Sequence, residues 1–521
     1  VCSSNKAMSI VEENPTAAVP SPLVRRGTSV NFDEGQTQDD CTECKRSLTV
    51  VVIGASGDLA KKKTFPALLA LFDQGLLPSS LSIVGFARSK FTQSEFHAKI
   101  QPFLKGDEDV VAKFLSHVHY FSGAYNDVES FGNLAQELEV REANSSLLSA
   151  ANRMFYLAIP PSIFADVIQG IDAKARAVND GWTRLIVEKP FGRDTDSFHE
   201  LNNVVAKHFN EHEIFRIDHY LGKELVQNLM ILRFGNRIFE PLWNSNHVQS
   251  VTISFKEPFG VEGRAGYFDN FGIIRDVMQN HLLQILCLVG MECPASWAAD
   301  DIRDEKVKVL KCIRDVDMDD VVVGQYGASA DGTKKGYLED PDVPSDSKTP
   351  TFAMAVFHID NARWHNVPFM MKCGKALNER KAEVRIQFRH APPPLFPGLA
   401  RNELVISVQP DEAVYVKLMT KQPGLGMKLD QKELDFSYKH NFDEKTPEAY
   451  ERLIYEVTRG EHSLFVRGDE LDYAWQIFTP FLEKLEKVKP ETYQYGERSL
   501  ASADELARKN GFERSKYSSM R

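Results

Sequence analysis

Between Arg216 and Glu224 the sequence Arg-Ile-Asp-His-Tyr-Leu-Gly-Lys-Glu sets an acid, two ring-bearing donors and an ammonium within six residues. Asp218 can hold an imidazole in one tautomer, and His219, Tyr220 and Lys223 can each donate to a phosphate oxygen. On a helix His219 and Lys223 stand four apart and share a face, which would make a small anion clamp. A polar helix end with a solvated Lys223 is the plain alternative for this cluster taken alone. His281 lies in Val277-Met278-Gln279-Asn280-His281-Leu282-Leu283. A histidine titrating near its ordinary value of about 6.5 is a natural general base. Between apolar neighbours, the plain reading is a satisfied core histidine. Asp276 and His281 are five apart, about 140° around an α-helix of roughly 3.6 residues per turn. That makes Asp276 a poor partner for the ring unless the helix begins there.

Gly54-Ala55-Ser56-Gly57-Asp58-Leu59-Ala60-Lys61-Lys62-Lys63 follows the β-branched run Leu48-Thr49-Val50-Val51-Val52-Ile53. Gly54 and Gly57 let the backbone approach a pyrophosphate seated at a helix N-terminus. The full G-x-G-x-x-G is not there, since Ser56 and Leu59 stand at its second and third glycine positions, and an ordinary tight turn would look the same. Leu81-Ser82-Ile83-Val84-Gly85-Phe86 is the next apolar run, ending at Arg88. An NAD enzyme would place Asp or Glu there for the ribose hydroxyls, whereas a guanidinium suits a 2′-phosphate.

These segments come in one order with Glu188-Lys189-Pro190-Phe191-Gly192, with Phe271-Gly272-Ile273-Ile274-Arg275-Asp276 leading into the His281 segment, and with Cys373-Gly374-Lys375-Ala376-Leu377-Asn378-Glu379-Arg380. Together they resemble the glucose-6-phosphate dehydrogenase family from about Ser47 into the C-terminal region. The resemblance implies oxidation of glucose 6-phosphate at C1 to 6-phosphoglucono-1,5-lactone, the first step of the oxidative pentose phosphate pathway. Hydride would pass directly to NADP, with no covalent intermediate and no metal. His281 is then the base, and Asp218 the carboxylate that orients it and stabilises imidazolium, as the acid of a catalytic triad does.

By the same resemblance His219, Tyr220, Lys223 and Lys375 bind the phosphate, Glu257 and Asp276 take sugar hydroxyls, and Lys189 stands between sugar and coenzyme. Arg380 adds charge, unless residues 378–381 form only a solvated salt-bridge face. The implied coenzyme residues are Gly54, Ser56, Gly57, Asp58, Leu59 and Arg88, with Tyr125 on the adenine side. Leu157, Pro160, Glu188 and Lys189 are the implied nicotinamide pocket. Some members hold a second, structural NADP, and Arg401, Tyr415, Lys417 and Asp435 are similar to parts of that site. Ser407 stands where an Arg is expected, and Lys516-Tyr517-Ser518 lacks the aromatic-rich ending, so that second site is expected to be empty.

Two rivals use the same residues differently. Another sugar oxidoreductase with a Glu-Lys-Pro after its dinucleotide sheet would rest on Lys189, but leaves the Asp218–Lys223 cluster unexplained. An inactive redox-sensing relative would show damage to the base or clamp, yet His281, Asp218 and Lys223 are all present.

The elements that must position these groups follow from texture. A chain of 521 residues can bury more than one core. Residues 1–46 are polar and acid-containing with little apolar periodicity, and read as a loosely ordered extension. Cys41 and Cys44 would lie there as accessible thiols, and a disulfide between them is one route to redox control. From Ser47 to about 225, strand and helix alternate, which indicates a Rossmann-like dinucleotide-binding domain. Runs at 154–158 and 184–187 continue that sheet. Alternating stretches at 248–255, 352–357, 382–388 and 403–408 indicate an antiparallel sheet over 226–521, covered by helices near 276–291 and 447–459. The expected fold is thus α/β plus α+β, the second domain serving substrate binding and oligomerisation.

Hydrophobic content of 43% and charged content of 26% are those of an ordinary globular chain. No apolar run is long enough to span a bilayer, and a formal net charge of −11 argues against nonspecific nucleic-acid binding. No secretory or Ser-Lys-Leu-type signal is seen, so a cytoplasmic homodimer or homotetramer is expected. Seven cysteines are too few and too scattered for a disulfide framework, and Cys287 is expected to pack as a small hydrophobe.

Overall fold

The computed structural model describes residues 47–143, 151–391, 396, 398–442 and 446–514. The expected extension with Cys41 and Cys44, and the tail at 516–518, lie outside them. The first sheet is built on β1 (Ser47–Ile53), β2 (Leu81–Ala87), β3 (Val118–Ser122), β4 (Ala151–Leu157), β5 (Thr183–Val187) and β6 (Ile214–Ile217). All of β1 and β4 is buried. They read as continuous apolar runs because helices cover both faces of a parallel sheet. Leu48, Val50 and Val52 join a cluster with Phe65, Leu68 and Phe114, while Val51 and Ile53 join Phe131 and Phe164 in another. That is the period-two alternation of a strand with a core on each side.

The six strands are parallel in the order 3-2-1-4-5-6. The direction of winding reverses between β1 and β4, which opens a crevice at their C-terminal ends. The glycine turn at Gly54 lies at that point.

The second sheet takes β7 (Val248–Lys256), β8 (Val321–Ser329), β9 (Phe352–His358), β10 (Pro368–Gly374), β11 (Lys381–Phe388), β12 (Glu403–Gln409), β13 (Ala413–Lys421) and β14 (Leu429–Ser437). Two late strands follow, β15 (Phe465–Val466) and β16 (Glu491–Tyr495). The nine-stranded order is 14-13-12-11-7-10-9-8-16. It is mainly antiparallel, with β7 parallel to β10 and β8 parallel to β16. The expected pairing of a parallel dinucleotide fold with a large antiparallel sheet is what the chain forms. The two sheets share a compact unit, and the chain crosses between them. β15 runs antiparallel along β6, so residues 465–466 finish the edge of the first sheet.

The helix that carries His281 is anchored from behind. It winds with i→i+5 hydrogen bonds over Ile274–Leu282 and continues as an α-helix over Leu283–Gly290. A helix leaves its last carbonyls without partners, and burying them bare would be costly. Here Arg233 donates to the carbonyls of Leu288 at 2.5 Å and Met291 at 2.6 Å, Trp243 to Val289 at 2.8 Å, and Trp364 to Gly290 at 2.7 Å. A guanidinium also suits the negative end of the helix dipole. On its flank, Gln284 bonds both members of the fully buried Lys306–Glu470 ion pair, itself 2.8 Å long. This ties the helix to Ala299–Cys312 and Gly468–Leu485. Cys287 packs on the same helix with no exposed surface, the small hydrophobe expected of it.

Candidate active site

The segment after β6 does not continue as a helix. Asp218 Oδ1 accepts from the Tyr220 amide at 2.9 Å, and the amides of Leu221 and Lys223 bond back to the carbonyls of Asp218 and Tyr220. An aspartate bonded to its own backbone two residues on favours a turn over a helix. The α-helix Glu224–Phe234 begins only after Lys223. His219 and Lys223 therefore do not share a helix face, and consecutive turns stand where a helical clamp was expected. Gly222 belongs to the turn for lack of a side chain, since a Cβ would lie 2.7 Å from the Ala449 carbonyl oxygen.

His281 and Asp218 meet inside the protein, 3% and 2% exposed, with Nδ1 and Oδ1 2.5 Å apart. Burial would raise the Asp218 carboxyl, but the imidazole beside it outweighs that and holds it at about 2. Burial moves His281 below its usual range, against the pull of Asp218, and the Lys189 ammonium pushes the same way. The ring is thus a neutral base that donates through Nδ1 and keeps a lone pair on Nε2. Its faces are packed by Tyr220, stacked at 4.6 Å, and His219, edge-on at 4.5 Å. Burial also lowers His219.

Asp276 turns out to share the face of His281. The wide winding over Ile274–Leu282 bonds each residue to the one five along, so positions 276 and 281 come one above the other instead of 140° apart. Lys189 shows the consequence. Its Nζ reaches His281 Nε2 at 3.1 Å, the Asp276 carbonyl at 2.7 Å and Asp276 Oδ1 at 3.2 Å. An ammonium has three protons, and each here has an acceptor. Burial would raise Asp276, but Lys189 and then Lys375 hold it at about 2. Asp218, His219 and His281 also offer donor atoms within 4.8 Å of one another, as a metal site would. Lys189 already sets a cation beside that ring.

Lys375 bonds Glu257 at 2.6 Å and approaches Asp276 at 3.9 Å. Lys223 extends over the Tyr220 ring at 5.2 Å, with its ammonium lowered by burial and by the nearby Arg380, against the pull of Glu412. Arg380 is exposed, and its charge reaches Tyr220 as well. The structure thus brings Lys189, Lys223, Lys375 and Arg380 around the His281–Asp218 pair. Their number and spread suit a substrate with an anionic group and several hydroxyls.

At the crevice Gly54 has φ +84°, and a Cβ there would stand 2.4 Å from the Ala158 carbonyl oxygen and 2.7 Å from Ile159 Cγ2. No other residue type lets the turn close against the segment that follows β4, where Leu157 leads on to Pro160. Ser56, Gly57 and Leu59 lead into the helical segment that begins at Ala60. Asp58 is exposed and paired with Lys61 at 3.1 Å and Lys62 at 2.9 Å, which offsets its charge beside the glycine turn. Arg88, just past β2, lies 5.5 Å over the ring of Tyr125 and has no ion pair among the described residues. A flat guanidinium on an aromatic, free to meet a phosphate, fits the adenine end of a phosphorylated dinucleotide. Glu188, just past β5, is buried and accepts from the Tyr156 hydroxyl at 2.6 Å. Burial pushes its carboxyl up, against the effect of Tyr156, Lys189 and Tyr450.

Tyr156 and Tyr450 lie beside these groups and were not singled out from the sequence. Tyr156 was hidden in an apolar strand. Tyr450, whose ring lies nearly parallel to that of His219, is far from it along the chain, and no local signal could place it. Of the parts named for a second nucleotide site, Tyr415 and Asp435 are cross-strand partners on β13 and β14, and the Lys417 ammonium lies 5.9 Å over the Tyr415 ring. Lys417 lines a cavity of about 540 Å³ with Lys256, Lys372, Arg385 and Arg498, where burial pushes Lys372 down to about 7. Arg401 is instead paired with Glu513 at 3.0 Å, and Asp435 lines a different groove beside Leu434 and Phe436. Ser407 is not among the residues lining the cationic cavity, so its lost arginine leaves that cavity's charge intact.

Comparison with known proteins bears on the whole chain. Residues 51–228 match the family description "Glucose-6-phosphate dehydrogenase, NAD binding domain", and residues 230–517 match "Glucose-6-phosphate dehydrogenase, C-terminal domain". The chain is 55% identical over 473 residues to a glucose-6-phosphate 1-dehydrogenase of Dictyostelium discoideum, covering 90% of this chain and 95% of that one. It is 50% identical over 507 residues to the chloroplastic glucose-6-phosphate 1-dehydrogenase 1 of Arabidopsis thaliana, covering 93% and 87%. A solved glucose-6-phosphate dehydrogenase in complex with its substrate glucose 6-phosphate superposes with a TM-score of 0.87 at 48% identity, over 90% of this chain and 99% of that one.

Proposed function

Because this chain belongs to the glucose-6-phosphate dehydrogenase family, we propose that its site oxidises glucose 6-phosphate at C1 to 6-phosphoglucono-1,5-lactone with NADP as acceptor. One observation carries the reading: a buried His281–Asp218 pair bonded at 2.5 Å, with Lys189 at the free nitrogen of the ring. His281 Nε2 takes the C1 hydroxyl proton, while Asp218 keeps Nδ1–H in place and offsets the imidazolium charge. Lys189 must release Nε2 for that, and its freed proton can then turn to a sugar oxygen. Asp276 and Glu257 accept from the sugar hydroxyls, and Lys223, Lys375 and Arg380 take up the phosphate charge with His219 and Tyr220. Bound NADP would supply the nicotinamide carbon that receives the hydride. The chain's part there is to seat it, through Gly54 to Leu59 at the pyrophosphate, Arg88 and Tyr125 at the adenine end, and Leu157, Pro160 and Glu188 near the ring.

The direct test measures coenzyme reduction by absorbance with NADP and NAD, each against glucose 6-phosphate and glucose. Fastest turnover is expected with NADP and glucose 6-phosphate, and no reduction of either coenzyme by glucose 6-phosphate would end the reading. Lys223→Ala is expected to raise KM for glucose 6-phosphate about ten- to a hundredfold, the worth of one charge-assisted contact. Glucose oxidation should be nearly unchanged, and equal losses on both sugars would show that Lys223 does not bind the phosphate. Arg88→Ala is expected to raise KM for NADP by about tenfold or more with little change for NAD, which lacks the 2′-phosphate. Loss on both coenzymes alike would make Arg88 structural.

Assembly as a homo-oligomer belongs to the same proposal. Leu434 and Phe436 on the outermost strand of the large sheet, with Phe442 packed beside Phe436, leave an apolar surface 65%, 41% and 47% exposed. A second copy of the chain would cover it, and a monomeric mass in solution would count against this.

A further inference from the structure

We infer that Tyr493 is a positioning residue for the sugar-phosphate side of the site, holding the backbone that carries the Lys375 ammonium. The inference rests on the function proposed above and adds a residue to it. Tyr493 stands on β16, 118 residues beyond Lys375 in the chain, and is 2% exposed. Its hydroxyl donates to the Lys375 carbonyl at 2.7 Å. A phenol has one proton, so the same oxygen accepts from the Thr351 hydroxyl 2.9 Å away. Thr351 also takes the other end of Lys375, because its carbonyl accepts from the Lys375 amide at 3.0 Å. Both backbone polar groups of Lys375 are thus held by one bonded pair, Thr351 and Tyr493. Burial pushes the Tyr493 hydroxyl up, which keeps it a donor.

The hold is needed because the next residue is strained. Ala376 is fully buried at φ +51°, in the left-handed region that a side chain disfavours. A residue so placed persists only where its surroundings fix it. Its amide donates to the Phe259 carbonyl and its carbonyl accepts from the Gly496 amide, each at 2.8 Å. Beyond it, the Leu377 amide donates to the Glu257 carbonyl at 2.9 Å and that of Asn378 to Glu497 at 3.0 Å. The chain carrying Lys375 is therefore clamped between the segments that follow β7 and β16. From there its ammonium meets Glu257 at 2.6 Å and lies over the Phe268 ring at 5.3 Å. Room for the phenol is built into the neighbouring strand. Gly324 on β8 faces the ring, and a Cβ there would stand 3.1 Å from Tyr493 Cδ1. Phe352 meets the same ring edge-on, with centres 5.8 Å apart. Packing fixes the ring, and the hydroxyl then fixes Lys375.

The test is Tyr493→Phe in the full chain, which keeps the packed ring and removes the hydroxyl. KM for glucose 6-phosphate is expected to rise about threefold to tenfold, the worth of one hydrogen bond. The change should sit in that constant, with kcat and KM for NADP at their wild-type values. A double-mutant cycle separates positioning from packing. Lys375→Ala should raise the same KM by about tenfold or more. Adding Tyr493→Phe to it should raise KM no further, because the group that the hydroxyl positions is gone. A lowered Tm with an unchanged KM would overturn the proposal. So would equal rises in KM for both ligands, a loss in kcat alone, or effects of the two substitutions that simply add. Lys375→Ala with a wild-type KM would overturn it too, by removing the group to be positioned. If Tyr493→Phe does not fold, Thr351→Val, which takes the other hydroxyl of the pair at nearly equal volume, must give a KM rise that likewise disappears in Lys375→Ala. A wild type that reduces no coenzyme would instead refute the function itself and this inference with it, a result visible before any variant is made.

Discussion

His281→Asn is expected to lower kcat by about a thousand- to ten-thousandfold, within the range attributed to a positioned general base, with KM for glucose 6-phosphate changed only severalfold. Asparagine fills much of the same space and can still donate toward Asp218, so the pocket should survive while the proton acceptor does not. The pH profile gives an independent reading. Because burial lowers His281, the base stays unprotonated to more acid conditions than a free imidazole. The acid limb of kcat/KM should therefore fall below the usual histidine value of about 6.5, with activity lost as pH drops through it. In His281→Asn that limb should vanish from the residual rate. Turnover within about tenfold of the wild type would exclude His281 as the base, since general-base catalysis contributes at least a hundredfold.

Asp218→Asn should cost about a hundredfold in kcat, less than loss of the base but more than loss of any one phosphate contact. Asparagine's carbonyl can still accept from Nδ1–H. What goes is the negative charge beside a ring that must become positive. The other carboxylate oxygen, Oδ2, is buried without a hydrogen-bond partner among the described residues, so the new amide group would displace no existing bond. The wild-type carboxylate raises the proton affinity of His281. Its neutralisation should therefore shift the acid limb of kcat/KM further down. A loss of rate with an unmoved limb would mean that Asp218 acts only through packing.

The sequence disclosed those parts of the molecule that depend on local pattern. β1, β2, β4 and β5 could be read because burial on both faces makes an unbroken apolar run. β3 is mostly half-buried and β6 is four residues long, and neither announces itself. In the large sheet, the alternating runs that became β7, β9, β11 and β12 were visible. β14 escaped because its outer face is exposed and its charged residues look like a loop. The site divides in the same way. Motif residues such as Lys189, Asp218 and His281 could be named, but the chemistry of their meeting depends on winding and turns. A 3.6-residue periodicity separates Asp276 from His281, and only the wider turn unites them. The spacing of His219 and Lys223 suggests a helix, but Asp218 uses its own side chain to close a turn first.

The antiparallel pairing of β15 with β6 can also be viewed in time. On a chain made from its N-terminus, the dinucleotide sheet must wait with an open edge until residues 465–466 have been made, nearly nine-tenths of the way along. An unpaired edge strand is a template for wrong partners, and domains made first generally fold first. Here the first-made sheet finishes late, and the helix Ala449–Arg459, which lies against the turn at Gly222, arrives only shortly before its last strand. A stalled or shortened chain would thus hold every motif residue of the base and the glycine turn, yet have no finished sheet to set them in.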